Sequence, residues 1–339
     1  MIGAPRVLIT GAAGYIGRQL AAALAAQVVT GEIGAVVGSD VREWDAASRP
    51  AALAWVTHDV REPGLDAVLR AHQVDVVVHL AAIVTPGPAS TRDFEYSVDV
   101  TGTRAVLDAC LAAKVRRIIV TSSGAAYGYH ADHPARLTED APVRGNKEFA
   151  YAYHKRLVEE MLAAERRDHP ALEQVVLRVT AVLGETVNNQ ITALFERSRV
   201  LALTGAASPF TFVHDADVVA VLVQAVTSPV TGVCNVAGDG ALTIDEIAHL
   251  LGKPVLRIRP WLLGAVLAVA HPLGLTRYGA EQVMFLRYRP VLDNRRLKEV
   301  FGYVPRYTSR EAFLAWRDGK RRAGSPPGTL ATTARASRP

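Results

Sequence analysis

A glycine-rich segment directly after the first apolar run constrains the fold more than any other feature of this chain. The run Arg6 to Thr10 leads into Gly11-Ala12-Ala13-Gly14-Tyr15-Ile16-Gly17, and a helical pattern begins at Tyr15. Glycines here allow a tight turn, a close approach of a helix N-terminus to a pyrophosphate, and close packing of helix on strand. Because a strand precedes the glycines and a helix follows them, a phosphate-binding loop is favoured over an ordinary turn. The predicted cofactor contacts are Gly11, Gly14, Tyr15, Ile16 and Gly17.

Strand-length apolar runs alternate with helical patterns through the first half of the chain. The runs are Arg6 to Thr10, Ala35 to Asp40, Trp55 to His58, Asp75 to Leu80, Arg117 to Ser122 and Val175 to Arg178. The helical patterns are Tyr15 to Gln27, Gly64 to His72, Arg92 to Ala113 and Ala150 to Asp168. This alternation is typical of βαβ units, and the continuous Val, Ile and Leu of the runs suits a sheet covered on both faces. The prediction is an α/β, Rossmann-type, doubly wound parallel sheet.

The second half of the chain is punctuated by glycine and proline and predicts a smaller C-terminal substrate-binding lobe. We expect residues 1–180 to form the NAD(P)-binding domain, with sheet elements returning around 205–240, and residues 181–322 to form mainly the substrate lobe. Residues 323–339 are small, polar and rich in proline. Such a segment cannot bury enough apolar surface to offset its ordering entropy, so a disordered tail is expected.

Charge and cysteine content exclude several classes of site. The formal charge is +5, but the excess basic residues are concentrated near the C-terminal end, so no nucleic-acid-binding face is expected. Cys110 and Cys234 are far apart and lack any CxxC or Cys/His spacing. We therefore expect buried free thiols, no disulfide and no metal site.

Apolar segments are too short for a transmembrane protein. The first apolar run begins too close to Met1 for a signal peptide, so a cytoplasmic protein is expected. The strongly apolar stretch Trp261 to Ala270 is well short of the roughly 20 residues that span a bilayer. It is predicted to be a buried or lid helix, with an interfacial contact as the alternative.

An acidic residue at the end of the second strand predicts the choice of cofactor. Asp40 follows Gly17 by 23 residues, where a carboxylate can accept hydrogen bonds from the adenosine ribose hydroxyls and would repel a 2′-phosphate. NAD is therefore expected, and NADP is less favoured, although Arg42 would soften this preference if it folded inward. Asp59 and Val60 follow the third strand, where adenine contacts are common. The alternative for Asp40 is a solvated turn residue.

Tyr151 and Lys155 carry the predicted chemistry. Four residues apart, they share one face of a helix. An ammonium beside a phenol stabilises the tyrosinate, which lets the phenol exchange a proton with a carbinol or carbonyl near neutral pH. Ser123 ends the fifth core strand, at the carboxyl edge where α/β proteins bind ligands, and is placed to hold the reacting oxygen. A serine-rich strand end is otherwise often only a turn.

The order of these features resembles a known signature. The glycine segment, Asp40, His79-Leu80-Ala81-Ala82, Ser123, Tyr127-Gly128 and Tyr151 with Lys155 resemble the extended short-chain dehydrogenase/reductases and the NAD-dependent epimerase/dehydratases. The resemblance implies that Ser123 binds the substrate oxygen and that Tyr151 is the general acid/base. It further implies that Lys155 contacts the nicotinamide ribose and that Leu80, Ala81 and Ala82 line the cofactor. A homodimer is also expected.

Departures from that signature bear on the substrate. Phe210 stands where nucleotide-sugar epimerases typically place an arginine that grips the diphosphate, and Asp99 stands where the family often has asparagine. Arg287 or Arg289 could substitute for a second missing arginine. Asn188 or its neighbour Asn189 sits where such enzymes place substrate-contacting amides. With Ser123, Asn188 and Phe210 as predicted substrate contacts, a partly apolar substrate is favoured over a nucleotide sugar.

Three functions remain open at this point. The leading one is an NAD-dependent oxidoreductase that moves a hydride between a secondary alcohol or ketone of a small molecule and nicotinamide. The alternative is an NAD-dependent nucleotide-sugar epimerase or dehydratase, in which the same oxidation is transient. A non-catalytic NAD(H)-sensing protein is the second alternative, because fold alone never establishes catalysis.

Overall fold

The computed structural model describes residues 3–87, 89–276 and 279–324. The strands are β1 (Arg6–Thr10), β2 (Ala35–Asp40), β3 (Leu53–Thr57), β4 (Val76–His79), β5 (Arg117–Ser123), β6 (Glu173–Val179), β7 (Ala181–Leu183), β8 (Val200–Leu203), β9 (Phe212–His214), β10 (Gly232–Val236) and β11 (Val255–Ile258). The helices are α1 (Tyr15–Thr30), α2 (Leu65–Ala71), α3 (Arg92–Tyr96), α4 (Gly102–Ala112), α5 (Ala150–Asp168), α6 (Gln190–Glu196), α7 (Asp215–Thr227), α8 (Ile244–Leu251), α9 (Pro260–Ala270), α10 (Gln282–Arg287), α11 (Arg295–Glu299) and α12 (Ser309–Gly324).

Seven strands form one parallel sheet in the order β10-β6-β5-β4-β1-β2-β3. The chain winds outward from β1 in one direction through β2 and β3, then returns to β4 on the other side and continues outward. The predicted doubly wound parallel sheet is confirmed. The order reverses between β1 and β4, which is the crevice where such sheets bind ligands at their carboxyl ends.

Helices cover both faces of the sheet, as the continuous apolar strands predict. One buried cluster joins β1, β2 and β6 to α1 and α7, and a second joins the opposite face to α2, α4 and α5. Alternate residues of β1 divide between them: Val7 and Ile9 face the first cluster and Leu8 faces the second. Fully buried aliphatic side chains of this kind supply most of the stabilisation of a domain, at roughly 25 cal/mol per Å² of apolar surface removed from water.

The helix predicted from Arg92 to Ala113 is interrupted. A π-helical segment, Ser97–Thr101, separates α3 from α4. Within it the Asp99 side chain is 2% exposed and its Oδ1 accepts a hydrogen bond from the Ile83 amide at 2.8 Å. The Thr103 hydroxyl also donates to the Asp99 carbonyl at 2.5 Å. Such side-chain bonds compete with the regular helical ladder and explain why helical periodicity alone missed the break.

The second half of the chain builds a separate aromatic cluster beside the sheet. Phe195, Phe210, Phe212, Phe313 and Trp316 pack together in it. Two small parallel strand pairs, β7 with β9 and β8 with β11, accompany this cluster. Strand β10 then leaves this region and pairs with β6 at the edge of the main sheet. The two halves of the chain are therefore interleaved.

Helix α9 is the apolar stretch predicted to be buried or to form a lid, and none of its residues is buried. Trp261 is 66% exposed and Val269 is 63% exposed. The prediction of a buried helix is wrong, because α9 packs on the short helix α10 at the outside of the molecule and not on either core. None of the described helices is long and apolar enough to cross a membrane.

The last described helix extends into the predicted tail. Helix α12 continues to Gly324, so residues 323 and 324, predicted to begin the disordered tail, are helical. The remainder of that predicted tail lies outside the described residues.

Cys110 and Cys234 are buried and free, as expected, and burial raises the pKa of both thiols to about 12.

Candidate active site

The glycine segment forms a tight cradle at the crevice between β1 and β4. Gly11 has φ +70°, a conformation that favours glycine, and a Cβ there would lie 2.7 Å from the Ala81 amide nitrogen. A Cβ on Gly17 would lie 2.3 Å from the Gly11 carbonyl oxygen. Side chains at these positions would fill the space that brings the loop against the end of β4. This geometry fits the phosphate-binding role predicted for the segment.

Asp40 ends β2 beside this cradle and is 7% exposed. Its Oδ2 accepts a hydrogen bond from the Ala13 amide at 3.0 Å, which fixes the carboxylate against the glycine loop. Its Oδ1 accepts from the Arg42 amide at 3.0 Å and lies 3.3 Å from the Arg42 Nε. Arg42 therefore folds towards Asp40. A carboxylate with these fixed partners still fits as an acceptor for ribose hydroxyls.

The predicted adenine-side residues lie on the loop after β3. Asp59 pairs with Arg61 at 2.5 Å, and the hydrogen bond from Arg61 lowers the pKa of Asp59. Val60 is 6% exposed and packs against Gly102 at the start of α4, where an added Cβ would lie 2.8 Å from its Cγ2. Asp59 thus presents the polar group on this loop, whereas the Val60 side chain anchors it.

Lys155 on helix α5 contacts strand β5, which ends at Ser123. Its Nζ donates a hydrogen bond to the Thr121 carbonyl at 2.9 Å and lies 5.7 Å from the centroid of the Tyr151 ring. Lys155 is 6% exposed, whereas Tyr151 is partly exposed. Ser123 accepts from the Ala125 amide at 3.1 Å, and the turn that it begins packs on α5. Strand β5 and helix α5 thus place all three predicted catalytic residues at one edge of the sheet.

Buried polar side chains form hydrogen bonds next to this edge of the sheet. His79 Nδ1 lies 2.7 Å from the Thr10 hydroxyl, and its Nε2 lies 3.0 Å from the Thr103 hydroxyl. Burial, aided by the positive charge of Lys155, lowers the pKa of His79 to about 3. His154, next to Lys155 on α5, lies 3.3 Å from Asp99. The carboxylate at position 99 is therefore paired with a histidine of the catalytic helix.

The three predicted substrate contacts have different surroundings. Ser123 lies at the catalytic edge, whereas Asn188 is exposed on the loop before α6. The neighbouring Asn189 caps α6, with its side chain bonded to Ile191 and Thr192. Phe210 is 3% exposed within the aromatic cluster. The prediction of Phe210 as a substrate contact is not supported by its position, because cluster residues and Arg289 cover the ring.

Arg289 lies over the ring of Phe210, the residue that stands where nucleotide-sugar epimerases typically place an arginine. The Arg289 guanidinium carbon is 3.6 Å from the centroid of Phe210 and 5.3 Å from that of Phe285. Phe285 also contacts the Tyr129 ring, with centroids 5.2 Å apart. Tyr129 also packs edge-to-face on Phe149, two residues before Tyr151, with ring centroids 4.9 Å apart. A row of aromatic rings, called here the aromatic wall, therefore runs from the start of α5 to Arg289.

Sequence reasoning missed the contact between the glycine loop and the second half of the chain. The Tyr15 hydroxyl donates to the Asp215 Oδ2 at 2.5 Å and lies 3.0 Å from the Thr186 hydroxyl. Burial and the Asp215 carboxylate raise the pKa of Tyr15 to about 12. Tyr15 was predicted only as a cofactor contact. Nothing in local spacing indicates a partner 200 positions away.

Tyr127, which belongs to the family signature, lies in a buried hydrogen-bond network. It is fully buried, and burial raises the pKa of its phenol to about 12. Its hydroxyl accepts from Arg178 at 2.7 Å and lies 2.8 Å from the Asn235 Oδ1. Arg178 in turn pairs with Glu159 at 2.7 Å. This network ties β6 to α5 and β10, so it is structural.

Comparisons with known proteins agree with this geometry. An uncharacterised protein of Mycobacterium tuberculosis is 27% identical over 317 residues, covering 91% of this chain and 82% of that protein. A UDP-glucose 4-epimerase of Azospirillum brasilense is 34% identical over 182 residues, covering 53% of this chain and 50% of the epimerase.

A solved structure is similar over nearly the whole chain. The dTDP-glucose 4,6-dehydratase of Bacillus anthracis, in complex with NAD, has a TM-score of 0.70 and 17% identity and covers 94% of this chain and 97% of its own. At that identity the likeness shows the fold alone. The sequence profile of the NAD-dependent epimerase/dehydratase family matches residues 7–237, which include the glycine cradle, Ser123, Tyr151 and Lys155. The chain therefore belongs to the NAD-dependent epimerase/dehydratase family.

Proposed function

We propose that this protein is an NAD-dependent oxidoreductase that interconverts a secondary alcohol and a ketone, with Tyr151 as the acid/base. The observation that carries the proposal is the position of Lys155. One ammonium group contacts the strand that presents Ser123 and lies against the ring of Tyr151. It thereby connects the three groups that such a reaction needs at the carboxyl edge of the sheet.

Each residue has a distinct task in the oxidation of an alcohol. The Ser123 hydroxyl holds the substrate oxygen, and Tyr151 removes the hydroxyl proton as the C–H bond breaks. Lys155, held by the Thr121 carbonyl, keeps a positive charge beside the phenol while the proton moves. Nicotinamide, when bound, supplies the hydride acceptor. In the reverse direction Tyr151 returns the proton to the carbonyl oxygen.

The surroundings of this edge support a substrate with apolar character. Tyr129 packs edge-to-face on Phe149, which immediately precedes α5, and on Phe285 of α10. Aromatic side chains of this size bury large apolar areas against a ligand, and each methylene that they cover contributes about 0.8 kcal/mol. An apolar hydroxy or keto compound would therefore gain more from this wall than a sugar would.

Substitution of the acid/base tests the proposal. Tyr151→Phe should fold and bind NAD normally and lose at least about a hundredfold in turnover, the usual contribution of a positioned acid/base. Tyr153→Phe is the matched control, because Tyr153 lies on the same helix as Tyr151 and its ring packs against Arg92 of α3. NADH absorbance would be followed against panels of apolar alcohols, ketones and nucleotide sugars. Wild-type rates in Tyr151→Phe would assign the role elsewhere.

The second candidate is a nucleotide-sugar epimerase or dehydratase. Its support is the similarity to the Azospirillum epimerase and the Bacillus dehydratase. Titration of the protein with UDP and dTDP discriminates between the two candidates. Micromolar binding, or a 4-epimerase rate on a UDP-hexose without added NAD, would replace the oxidoreductase proposal with this one.

The wider organisation is part of the proposal. We assign cofactor binding to residues 1–180, with the returning elements between 205 and 240, and substrate binding mainly to residues 181–322. A cytoplasmic homodimer is the proposed state. Light scattering on the purified protein would test the dimer, for which a monomer mass at micromolar concentration is the contrary result.

A further inference from the structure

We propose that Arg289 binds a carboxylate of the substrate, close to the carbon on which Tyr151 acts. The inference deepens the proposed function and rests on it for the identity of the reacting carbon. Its starting point is that the charge of Arg289 is unbalanced among the described residues. No described carboxylate forms an ion pair with Arg289, and the titratable group that acts on its charge is the Tyr129 phenol.

Within the described residues, the two arginines that are more than nine-tenths buried are each paired with a carboxylate. Arg117 is 2% exposed and lies 2.7 Å from Glu173. Arg178 is 5% exposed and lies 2.7 Å from Glu159. A buried cation without a partner is costly, so proteins pair such groups. Arg289 is only partly buried, and no described carboxylate pairs with it, so a negatively charged ligand can supply the missing partner.

Arg289 is held in place from several sides. Its Nη1 donates to the Ser208 carbonyl at 2.7 Å, and its guanidinium carbon lies over the Phe210 ring, 3.6 Å from the centroid. Ser208 has φ +39°, an uncommon conformation for a residue with a side chain, and its hydroxyl donates to the Leu286 carbonyl. A strained residue that is fixed in this way is typical of a functional site.

Donors of the guanidinium remain without acceptors. Nε is buried and makes no hydrogen bond with the described residues. The hydrogen bonds of the guanidinium to described residues are both donated by Nη1, so Nη2 has no acceptor among them. A single guanidinium balances the single charge of a carboxylate and matches its planar pair of oxygens. A phosphate dianion would keep one charge unbalanced, so a carboxylate is the better fit.

The position of Arg289 relates the carboxylate to the reaction. Phe285 contacts both Tyr129 and Arg289, and Tyr129 packs on Phe149, two residues before Tyr151. A small hydroxy acid can therefore extend along this aromatic wall, with its carbinol at Tyr151 and its carboxylate at Arg289. The substrate class is an aromatic or aliphatic hydroxy acid or keto acid.

Matched acids and amides test the inference by calorimetry on the full-length protein saturated with NADH, which prevents turnover of a hydroxy acid. The probes are mandelate with mandelamide, 3-hydroxy-3-phenylpropanoate with its carboxamide, and phenyl phosphate. At least one of the two acids should bind about tenfold or more tightly than its amide, because a hydrogen bond to a charged group is lost in the amide.

Variants assign the preference to one residue. Arg289→Gln should reduce the acid preference to about twofold or less, and Arg289→Lys should retain part of it because the charge remains. Arg257→Gln, which removes an exposed arginine paired with Asp245, should leave the preference unchanged. Equal binding of acid and amide by the wild type, no binding of either acid, tighter binding of phenyl phosphate, or an unchanged preference in Arg289→Gln would overturn the inference.

These titrations, combined with turnover assays in the presence of NAD, separate the two proposals. An acid preference that depends on Arg289 but is accompanied by no turnover with NAD would uphold the carboxylate site and count against the oxidoreductase. Turnover of neutral alcohols that depends on Tyr151, with no acid preference, would do the reverse.

Discussion

The protonation state of His79 affects the free energy of unfolding of the protein. The imidazole is buried between the Thr10 and Thr103 hydroxyls, and its pKa falls from an ordinary value of 6.5 to about 3. The unfolded chain therefore binds a proton at pH values where the folded chain does not. The stabilisation is complete above about pH 6.5 and is lost as the pH falls from there towards 3.

This linkage gives a pH-dependent prediction. Below pH 6.5 the free energy of unfolding of the wild type should fall faster than that of His79→Asn, by up to about 1.4 kcal/mol per pH unit. Urea denaturation at several pH values between 7 and 5 measures both slopes, and all other titrating groups cancel in the comparison. Parallel slopes would show that His79 is protonated in the folded protein as readily as in the unfolded chain.

Asp40 gives a prediction about cofactor choice. Asp40→Ala should weaken NAD binding about tenfold or more and NADP binding less, because a charged acceptor for the ribose hydroxyls is lost. The same substitution frees Arg42, now bonded to Asp40, to approach a 2′-phosphate. Calorimetry would measure the dissociation constants of both cofactors. Asp45→Ala, on the loop that follows β2, is the control. Equal weakening of NAD and NADP binding would show that Asp40 does not determine the choice between the two cofactors.

Local patterns predicted the residues of the site that lie near one another in the chain. The glycine segment, Asp40 and the Tyr151 and Lys155 pair each follow from spacing within one βα unit, and membership of an NAD-dependent family confirms the predicted cofactor. The sequence left Arg287 and Arg289 as equal candidates for a missing arginine, because the contacts of Arg289 are with Ser208 and Phe210, about eighty positions earlier. Only packing shows that these residues meet.

Among the elements, α9 differs most from its prediction. Its composition is apolar throughout, yet every residue keeps some exposure. Length and hydrophobicity predict burial, and no pattern in the helix shows that it packs on the short helix α10 and not within a core. By contrast, α5 and β2 have the predicted bounds, Ala150–Asp168 and Ala35–Asp40.

The exposure of α9 predicts that its surface tolerates polar side chains. The double substitution Val266→Gln and Val269→Gln should change the free energy of unfolding by less than about 0.5 kcal/mol per residue, as is usual at exposed positions. Val226→Gln on α7 is the control, since that side chain is fully buried and burial of an unpaired amide costs about 1–3 kcal/mol. Denaturant unfolding measures both. A large loss from the α9 double variant would mean that the helix is covered in solution.

For the whole molecule, the alternation of strand and helix was sufficient to predict the doubly wound sheet. It was not sufficient to predict how the second half joins that sheet. The Tyr15 to Asp215 hydrogen bond and the pairing of β10 with β6 connect distant parts of the chain. Such contacts depend on the tertiary arrangement and carry no periodic signal in the sequence.

The pairing of β10 with β6 restricts how the substrate specificity of this protein can be re-engineered. A chimera that replaced residues 181–324 in one cassette would remove β10 and leave β6 as an open sheet edge, which invites aggregation. It would also remove α7, whose buried face belongs to the main core. A workable exchange therefore needs two cassettes, one ending before Phe212 and one beginning after Val236, grafted around a native insert that keeps the edge closed.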